Sequence, residues 1–213
     1  MVDEVVGYYQ KYLKRIIDVV VSFCSLVVLA PLYLAIAALV KMEDGGDVFY
    51  KGVRVGKEGM PFRIYKFRTM VMNAEPLGGL VTSDDDPRIT DIGRFLRKWK
   101  LDELPQLLNV LKGDMSLVGP RPEVGEYVQL YTEEEKKVLD VRPGITDWAS
   151  IWDSNEGAFV AQYPDVEKAY VDIILPKKLE LQKKYIEEIS LHTDVKIVWT
   201  SIKVIIARKP TDA

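Results

Sequence analysis

Cysteine and histidine are nearly absent from this chain of 213 residues, which has one of each. A lone Cys24 cannot form an intrachain disulfide, so nothing indicates a disulfide-stabilised secreted domain, and a reducing cytoplasm is the default compartment. Because His192 is the only histidine, a histidine-based metal site or a Ser-His-Asp triad is disfavoured. The chain also lacks a P-loop and a GxGxxG fingerprint, which leaves ATP-binding and dinucleotide-binding functions without support.

A strong net charge is missing as well. The net charge is −3, and hydrophobic residues make up 48% and charged residues 29%, which is globular composition and excludes wholesale disorder. The average hides an asymmetry, because residues 48–100 carry eleven Lys/Arg against six Asp/Glu, while residues 122–190 carry eight against fifteen. A basic middle in an acidic chain favours an anionic small substrate over a nucleic-acid backbone.

Residues 16–40 form an almost continuous apolar run of 25 positions with one charge, Asp18. About 20 apolar helical residues suffice to span a bilayer core, so the run predicts a membrane helix. A secretory signal is the first alternative, but its apolar core would be shorter, at about 7–15 residues. A buried core helix is the second alternative, and the length counts against it too.

Pro31 lies near the middle of this run, where it removes a backbone donor and predicts a kink or break in the helix. Basic residues flank both ends of the run, so the positive-inside rule gives no preference for opposite sides. The residues alone therefore leave two topologies open. One is a helix that bends at Ala30-Pro31 and leaves by the face it entered, and the other is a kinked ordinary span.

The remainder predicts alternating short strands and helices. Residues 48–70 read as two strands joined by GKEGM, and alternation in the second places Phe62, Ile64, Lys66 and Arg68 on one face. Residues 73–87 predict an exposed loop. Further predictions are a helical stretch over 88–111 broken near 101–105, a strand at MSLVGPRP, amphipathic helices over 132–140 and 165–190, and a tail that either packs on the core or lies against lipid.

The adjacent carboxylates Asp102 and Glu103 are the first candidates for chemistry. The pattern predicts that a helix begins at one of them, before Pro105, and ends at Gly113. An ionised carboxylate there could attack phosphorus or hold Mg²⁺, which usually takes one or two carboxylates together with the substrate's phosphates. Acidic residues are also common helix caps, and on spacing alone the cap is the favoured interpretation.

Several cations suit the recognition of a pyrophosphate. Lys66 and Arg68 share the predicted strand face, and Arg88 and Arg97 precede the carboxylates, with a solvated basic surface as the alternative. In Gly119-Pro120-Arg121-Pro122, two prolines fix the backbone on either side of one arginine, and the glycine permits close approach of a ligand. This motif predicts a rigid mount for the Arg121 guanidinium, with a plain turn as the alternative.

Taken together, these motifs resemble the bacterial sugar transferases, also called monotopic phosphoglycosyl transferases. The resemblance covers nearly the whole chain, and its most specific blocks are LDELPQL and GDMSLVGPRP. The matching segments are Lys14-Arg15 with Asp18, RVGKEGMPFRIYKFRTM (54–70), DPRITDIGRFLR (86–97), LDELPQLLNVLKGDMSLVGPRPE (101–123) and VRPGIT (141–146).

The resemblance implies transfer of a phosphosugar from a UDP-sugar to a polyprenyl phosphate, with release of UMP. It implies that Asp102 is the nucleophile of a covalent phosphosugar intermediate, that Glu103 assists it, and that Mg²⁺ sits at Asp102. The implied substrate-binding residues are Lys66, Arg68, Arg88, Arg97 and Arg121. The family's membrane helix is re-entrant and is broken at a proline that matches Pro31. The resemblance therefore favours the re-entrant topology over the ordinary span.

The fold implied is α+β, with an N-terminal re-entrant membrane helix kinked at Pro31, a short β-hairpin, and amphipathic helices packed at the membrane interface. A membrane-anchoring segment, residues 1–41, and a catalytic domain, residues 42–213, are expected to form one integrated unit. Expected partners are a UDP-sugar, polyprenyl (undecaprenyl) phosphate and the bilayer, with no nucleic acid; a homo-oligomer is left open. The expected location is the bacterial cytoplasmic (inner) membrane, with the active site on its cytoplasmic face.

The chain departs from the family pattern in two places. Ala30 stands where members often have serine before the proline, and Asp147 and Ser150 interrupt the pattern RPGITG-W-AQV. The second departure bears on sugar specificity and leaves the reaction class intact. Two other functions remain as alternatives: a nucleotide-sugar hydrolase using the same site, and a non-catalytic membrane-anchored protein that binds nucleotide sugars.

Overall fold

The computed structural model describes residues 7, 9–74, 78–83, 85–153, 156–160 and 162–207, in which helices predominate and two small sheets occur. The mixed helix-and-strand class predicted from the sequence is confirmed. The described helices are α1 (Lys14–Asp44), α2 (Asp91–Lys98), α3 (Gln106–Lys112), α4 (Gly125–Val128), α5 (Trp148–Trp152), α6 (Glu156–Val160), α7 (Val166–Ala169), α8 (Leu175–Glu187) and α9 (Leu191–Ala207). A π-helical turn at Tyr9–Leu13 leads into α1, and another at Tyr170–Ile174 leads into α8.

The predicted hairpin is confirmed. Strands β1 (Phe49–Val55) and β2 (Pro61–Phe67) pair antiparallel, with Phe49 opposite Phe67. In the connecting turn Glu58 and Gly59 adopt φ of 57° and 75°, a left-handed backbone that reverses the chain. The predicted strand in MSLVGPRP is β3 (Ser116–Val118), which pairs in parallel with β4 (Gly144–Thr146).

Helix α1 fits the predicted membrane segment. The stretch Tyr9–Asp44 is long and apolar enough to cross a bilayer. The helix continues through Pro31 and ends at Gly45, whose φ of 75° permits the left-handed backbone that terminates helices. The predicted break at Pro31 does not occur, and a bend there is not established.

One face of α1 lies against the rest of the protein at two stretches, one near each end of the helix. Asp18, Ser22, Ile36 and Val40 are buried at helical spacing. The opposite face is apolar and exposed, at positions that include Val20, Phe23, Val27, Val28 and Leu34. An apolar face of this kind on a soluble surface marks an interaction with lipid or with another protein.

Both halves of α1 contact the same region of the protein. Arg15, in the first turn, donates hydrogen bonds to the carbonyl oxygens of Val110 and Leu111, at 2.6 and 3.1 Å, at the end of α3. From the second half, the Tyr33 hydroxyl donates to the Leu104 carbonyl oxygen at 2.6 Å, just before α3 begins. Helices α1 and α3 therefore pack side by side.

The C-terminal helix α9 is locked onto α1 and α8 by a buried carboxylate. Asp194 accepts hydrogen bonds from Tyr9 at 2.6 Å and from Tyr185 at 2.7 Å, and it also pairs with Lys14. One face of α9 thus packs on the core, whereas Leu191, Val195, Trp199, Ile202 and Ile206 are exposed on another. The predicted packing of the tail on the core is confirmed for one face, and contact of the exposed face with lipid stays a prediction.

Of the two amphipathic helices predicted for this region, one was wrong and one is confirmed. The segment 132–140 contains only a 3₁₀ turn, Glu135–Asp140, instead of an amphipathic α-helix. The segment 165–190 is helical without a break from α7 through the π-helical turn to the end of α8 at Glu187. On α8 the buried positions include Leu175, Lys178 and Gln182, so two polar side chains occupy core positions.

Candidate active site

Asp102 and Glu103 lie in a single 3₁₀ turn, Leu101–Glu103, between α2 and α3. Lys100 has a left-handed backbone, with φ of 55°, which turns the chain sharply after α2, and α3 begins only at Gln106. The prediction that a helix starts at Asp102 or Glu103 was therefore wrong by about one turn. Pro105 precedes α3 without a side-chain cap, so the helix-cap interpretation of the two carboxylates does not describe this structure.

Both carboxylate oxygens of Glu103 accept hydrogen bonds from cationic side chains. Arg121 Nη1 donates to Oε2 at 3.0 Å, Arg121 Nη2 donates to Oε1, and Lys66 Nζ donates to Oε1 at 3.1 Å. Burial acts to raise the pKa of Glu103, but the charges of Arg121 and Lys66 outweigh it and hold the pKa well below its usual range. Glu103 is accordingly an ionised group that orients the cations around it.

Asp102, the preceding residue, has the opposite character. Its side chain is buried, and among the described residues none forms a hydrogen bond with its Oδ1. Burial raises the pKa of Asp102, while the charges of Lys66, Lys100 and Arg97 act against the rise. A buried carboxylate oxygen without a partner is costly to maintain and is available for bonding to a substrate or a metal.

An open cavity of about 2640 Å³ adjoins the carboxylates. Its wall near them is cationic, with Lys66, Arg97, Lys100 and Arg121 among the lining residues. This volume exceeds the roughly 300–1,000 Å³ of an ordinary small-molecule pocket, so it can hold more than one group. A large cavity with convergent cations, and with a carboxylate oxygen to which no described residue is hydrogen-bonded, suits a bulky anionic substrate.

Of the predicted cations, the structure brings Lys66 and Arg121 to the carboxylates. Arg97 lies on the cavity wall and donates from Nε to Thr69 Oγ1 at 2.8 Å. Arg88 also lines the cavity, but its guanidinium pairs with Asp86, with Nη2 2.7 Å from Oδ2.

Arg68 lines the cavity without contacting the carboxylates. Its guanidinium pairs with Asp44 at the end of α1 and donates from Nε to the Asp47 carbonyl oxygen at 2.6 Å. The sequence predicted that Arg68 and Lys66 share one face of a strand. Because β2 ends at Phe67, the alternation of side chains along that strand does not include Arg68.

Arg121 is mounted on a braced segment. Its backbone N–H donates to Asp147 Oδ2 at 3.1 Å, and Asp147 Oδ1 accepts from the Ser150 N–H at 2.6 Å at the start of α5. A Cβ on Gly119 would lie 2.5 Å from the Arg142 carbonyl oxygen, so the glycine permits close approach of backbone and not of a ligand. The two residues that depart from the family pattern thus support the arginine.

Sequence reasoning missed two features of the cavity wall. Lys100 was not predicted, because nothing in the sequence indicates that its backbone is left-handed. A polar cluster formed by the half-buried Glu123 and Asp153 and the buried Tyr170 and Lys178 also lines the cavity. Lys178 could have been found, since it occupies a core position in the apolar stripe of α8.

A magnesium ion was predicted at Asp102. Within the described part of the chain, no group of three or more His, Cys, Asp or Glu side chains could hold a metal. Mg²⁺ often binds through one or two carboxylates and completes its coordination with water and substrate phosphates. The partnerless Oδ1 of Asp102 fits that mode of binding.

Comparison with known proteins places these features in context. Residues 9–208 match the family model described as bacterial sugar transferase. The chain is 40% identical over 191 residues to the sugar transferase EpsL of Bacillus subtilis, covering 90% of this chain and 86% of that protein. It is 39% identical over 198 residues to the UDP-N-acetylgalactosamine-undecaprenyl-phosphate N-acetylgalactosaminephosphotransferase of Aeromonas hydrophila, covering 92% of this chain and 44% of that protein.

A third relative is the UDP-glucose:undecaprenyl-phosphate glucose-1-phosphate transferase of Escherichia coli. The identity is 34% over 195 residues, which cover 90% of this chain and 40% of that protein. The chain therefore spans less than half of the two relatives whose names state a reaction, and most of EpsL.

Proposed function

Because the chain belongs to the bacterial sugar transferase family, we propose that it transfers a phosphosugar from a UDP-sugar to undecaprenyl or another polyprenyl phosphate and releases UMP. The names of the Aeromonas and Escherichia relatives state this type of reaction. The observation that carries the proposal is the buried, partnerless oxygen of Asp102 beside a Glu103 that is fully paired with cations.

The first step is an attack by Asp102 on the phosphorus that bears the sugar. A carboxylate oxygen forms a bond to phosphorus, the bond from phosphorus to the bridging oxygen breaks, and UMP leaves with the electron pair. Lys66, Lys100 and Arg121 lie where they can neutralise the diphosphate and the charge that develops on the leaving UMP. Charge neutralisation and in-line positioning are the main demands of phosphoryl transfer.

The second step reverses the first with a different partner. An oxygen of the polyprenyl phosphate attacks the same phosphorus, and the bond to Asp102 breaks, which regenerates the free carboxylate. Neither step needs a proton donor, because each leaving group departs as an anion. Glu103 takes no covalent part; it holds the Arg121 fork and Lys66 in position through both steps.

We also propose that Asp102 holds Mg²⁺ together with the phosphates of the substrate. When bound, the ion would supply positive charge to the diphosphate. Asp102 Oδ1 would then take a ligand in place of the hydrogen bond it lacks.

The membrane helix is proposed to enter and leave on one face of the bilayer, the cytoplasmic face of the bacterial inner membrane. An ordinary span would separate the helix ends by the hydrocarbon core, which is about 30 Å thick. Here Arg15 and Tyr33, from opposite halves of α1, both contact the segment from Leu104 to Leu111. Such contacts support a helix held against one domain on one side.

The test is UMP release from a panel of UDP-sugars by the purified protein in detergent, with and without polyprenyl phosphate. The proposal expects a lipid-linked phosphosugar, formed in proportion to UMP. A hydrolase would release free sugar phosphate without lipid, and a binding protein would release no UMP. Either outcome would overturn the transferase assignment.

A further inference from the structure

We propose that the polar cluster of Glu123, Asp153, Tyr170 and Lys178 recognises the sugar of the donor and selects a neutral or amino-bearing sugar over a uronic acid. The inference rests on the proposed function, since it names the substrate class for the same cavity. The cluster lies outside the set of residues that the transfer steps use.

The cluster is tightly built. Lys178 Nζ donates to Glu123 Oε1 at 3.0 Å and to Tyr170 Oη at 2.9 Å, and the Tyr170 hydroxyl donates to Glu123 Oε1 at 2.5 Å. Asp153 Oδ2 lies 3.9 Å from Lys178 Nζ. Lys178 is 3% exposed, so its ammonium is held in place with little contact with solvent.

Stability alone does not account for these groups. A buried ion pair is often no more stabilising than apolar side chains of the same volume, because both charges must lose their hydration. All four members also line the cavity that contains Asp102. Buried ionisable groups that face a cavity are typical of ligand-binding sites.

The position of the cluster matches the sugar. Glu123 follows Arg121 by two residues, so their Cα atoms are at most about 7 Å apart. Arg121 in turn grips Glu103, the neighbour of Asp102. The sugar is bonded directly to the phosphorus that Asp102 attacks, whereas the nucleoside lies beyond the second phosphate, so the sugar is the nearer of the two.

The charges indicate which sugars fit. Near Asp102 the cavity wall is cationic, whereas the cluster itself contains two carboxylates, Glu123 and Asp153, around one lysine. Carboxylates accept hydrogen bonds from sugar hydroxyl, amide or ammonium groups, and Lys178 holds the Glu123 carboxylate in place. A sugar carboxylate would meet like charge in a partly dehydrated site, which disfavours uronic acids.

The test measures kcat/KM for UMP release and, separately, inhibition by UMP, which contains no sugar. The variants are Tyr170→Phe, which removes one hydroxyl, and Lys178→Met, which removes the ammonium at similar length. The matched control is Lys177→Met, because Lys177 is adjacent on α8 and pairs at the surface with Glu180. The donors are UDP-glucose, UDP-galactose, UDP-N-acetylglucosamine and UDP-glucuronate.

We expect the wild type to prefer its best neutral donor over UDP-glucuronate by at least about tenfold. Tyr170→Phe should lower kcat/KM for that donor about tenfold and Lys178→Met further, since a hydrogen bond to a charged group is lost. Inhibition by UMP should stay within about twofold, and Lys177→Met should match the wild type. Thermal unfolding identifies misfolding of Lys178→Met, in which case Tyr170→Phe decides.

Unchanged kcat/KM in Tyr170→Phe, or an equal loss of UMP binding, would overturn the inference, as would efficient use of UDP-glucuronate. These outcomes leave the transferase assignment standing, because the wild type would still release UMP and form lipid product. Absence of UMP release from every UDP-sugar would instead overturn the proposed function itself.

Discussion

Arg121 and Glu103 form a two-armed ion pair, with Arg121 Nη1 3.0 Å from Glu103 Oε2 and Nη2 bonded to Oε1. This pair explains how two adjacent carboxylates differ in chemistry. Glu103 pairs with Arg121 and Lys66 and is ionised, whereas no described residue forms a hydrogen bond with the buried Oδ1 of Asp102. The chain thereby separates a group that organises charge from a group that can react.

Replacing Asp102 with asparagine should abolish transfer and stabilise the fold. Loss of a nucleophile typically lowers kcat by roughly four or more orders of magnitude. Burial raises the pKa of Asp102, so the ionised form costs stability at neutral pH, and the neutral amide removes that cost. The melting temperature should therefore rise, by about 2–4 °C for each kcal/mol gained in a domain of this size.

The gain in melting temperature should shrink on acidification, because the wild-type carboxyl becomes protonated as the pH falls through its raised pKa. Substantial transfer by Asp102→Asn would contradict the covalent mechanism, and a lower melting temperature at neutral pH would contradict the assigned cost of burial.

Replacing Arg121 with lysine tests the two-armed geometry apart from the charge. Lysine retains one positive charge but cannot bond both oxygens of Glu103 at once. We expect kcat/KM for UMP release to fall by roughly tenfold to a hundredfold. Arg63→Lys, at an exposed position of β2, is the control and should match the wild type. Equal activity of both variants would show that charge alone is needed.

The pH profile of kcat/KM should have an acid limb set by Asp102. The attacking carboxylate must be ionised, and burial raises its pKa above the ordinary 3.8, so activity falls at a higher pH than for an exposed aspartate. Lys66 lowers the pKa of Asp102, and Lys66→Met should therefore move the acid limb to higher pH. A limb that stays in place in this variant would mean that another group controls it.

The same-face topology predicts the labelling of two cysteines. In a Cys24→Ala background, Lys11→Cys and Met42→Cys place thiols at exposed positions on either end of the apolar run. A membrane-impermeant maleimide should label both in inverted inner-membrane vesicles and neither in intact spheroplasts. Labelling of one thiol from each side would establish an ordinary span.

The hydrogen-bonded carboxylate of Asp194 should contribute strongly to stability. Asp194→Asn leaves Lys14 without its ion-pair partner in a largely buried site, and breaking such a pair costs roughly 3–5 kcal/mol. Chemical denaturation measures the change. The control is Asp91→Asn, where the carboxylate is 98% exposed and its pair with Arg94 should contribute less than about 1 kcal/mol.

The sequence correctly predicted those elements that are determined by residues close to one another along the chain. Alternation and a glycine-containing turn gave the β1–β2 hairpin, the apolar run gave α1, and Gly113, with φ of 96°, ends α3 as expected. Each depends on residues that are close in sequence, so a pattern in a short window carries the information.

Long-range partners were not predictable in this way. The pairing of Arg68 with Asp44 spans 24 residues, and that of Lys178 with Glu123 spans 55. A sequence does not show whether a charged side chain pairs with another residue or is solvated. The resemblance to a family directed attention to Asp102 and Arg121, and only the structure distinguished the surroundings of Asp102 from those of Glu103.

The contact face of α1 limits how a water-soluble form of this enzyme could be made. Asp18 accepts hydrogen bonds from Ser116 Oγ at 2.8 Å and from the Leu117 N–H at 3.0 Å, so deleting the helix would strip β3 of its acceptors. A water-soluble form would instead retain the buried face of α1 and have polar side chains in place of its exposed apolar ones. The segment proposed to hold the enzyme to lipid is at the same time one wall of the folded domain.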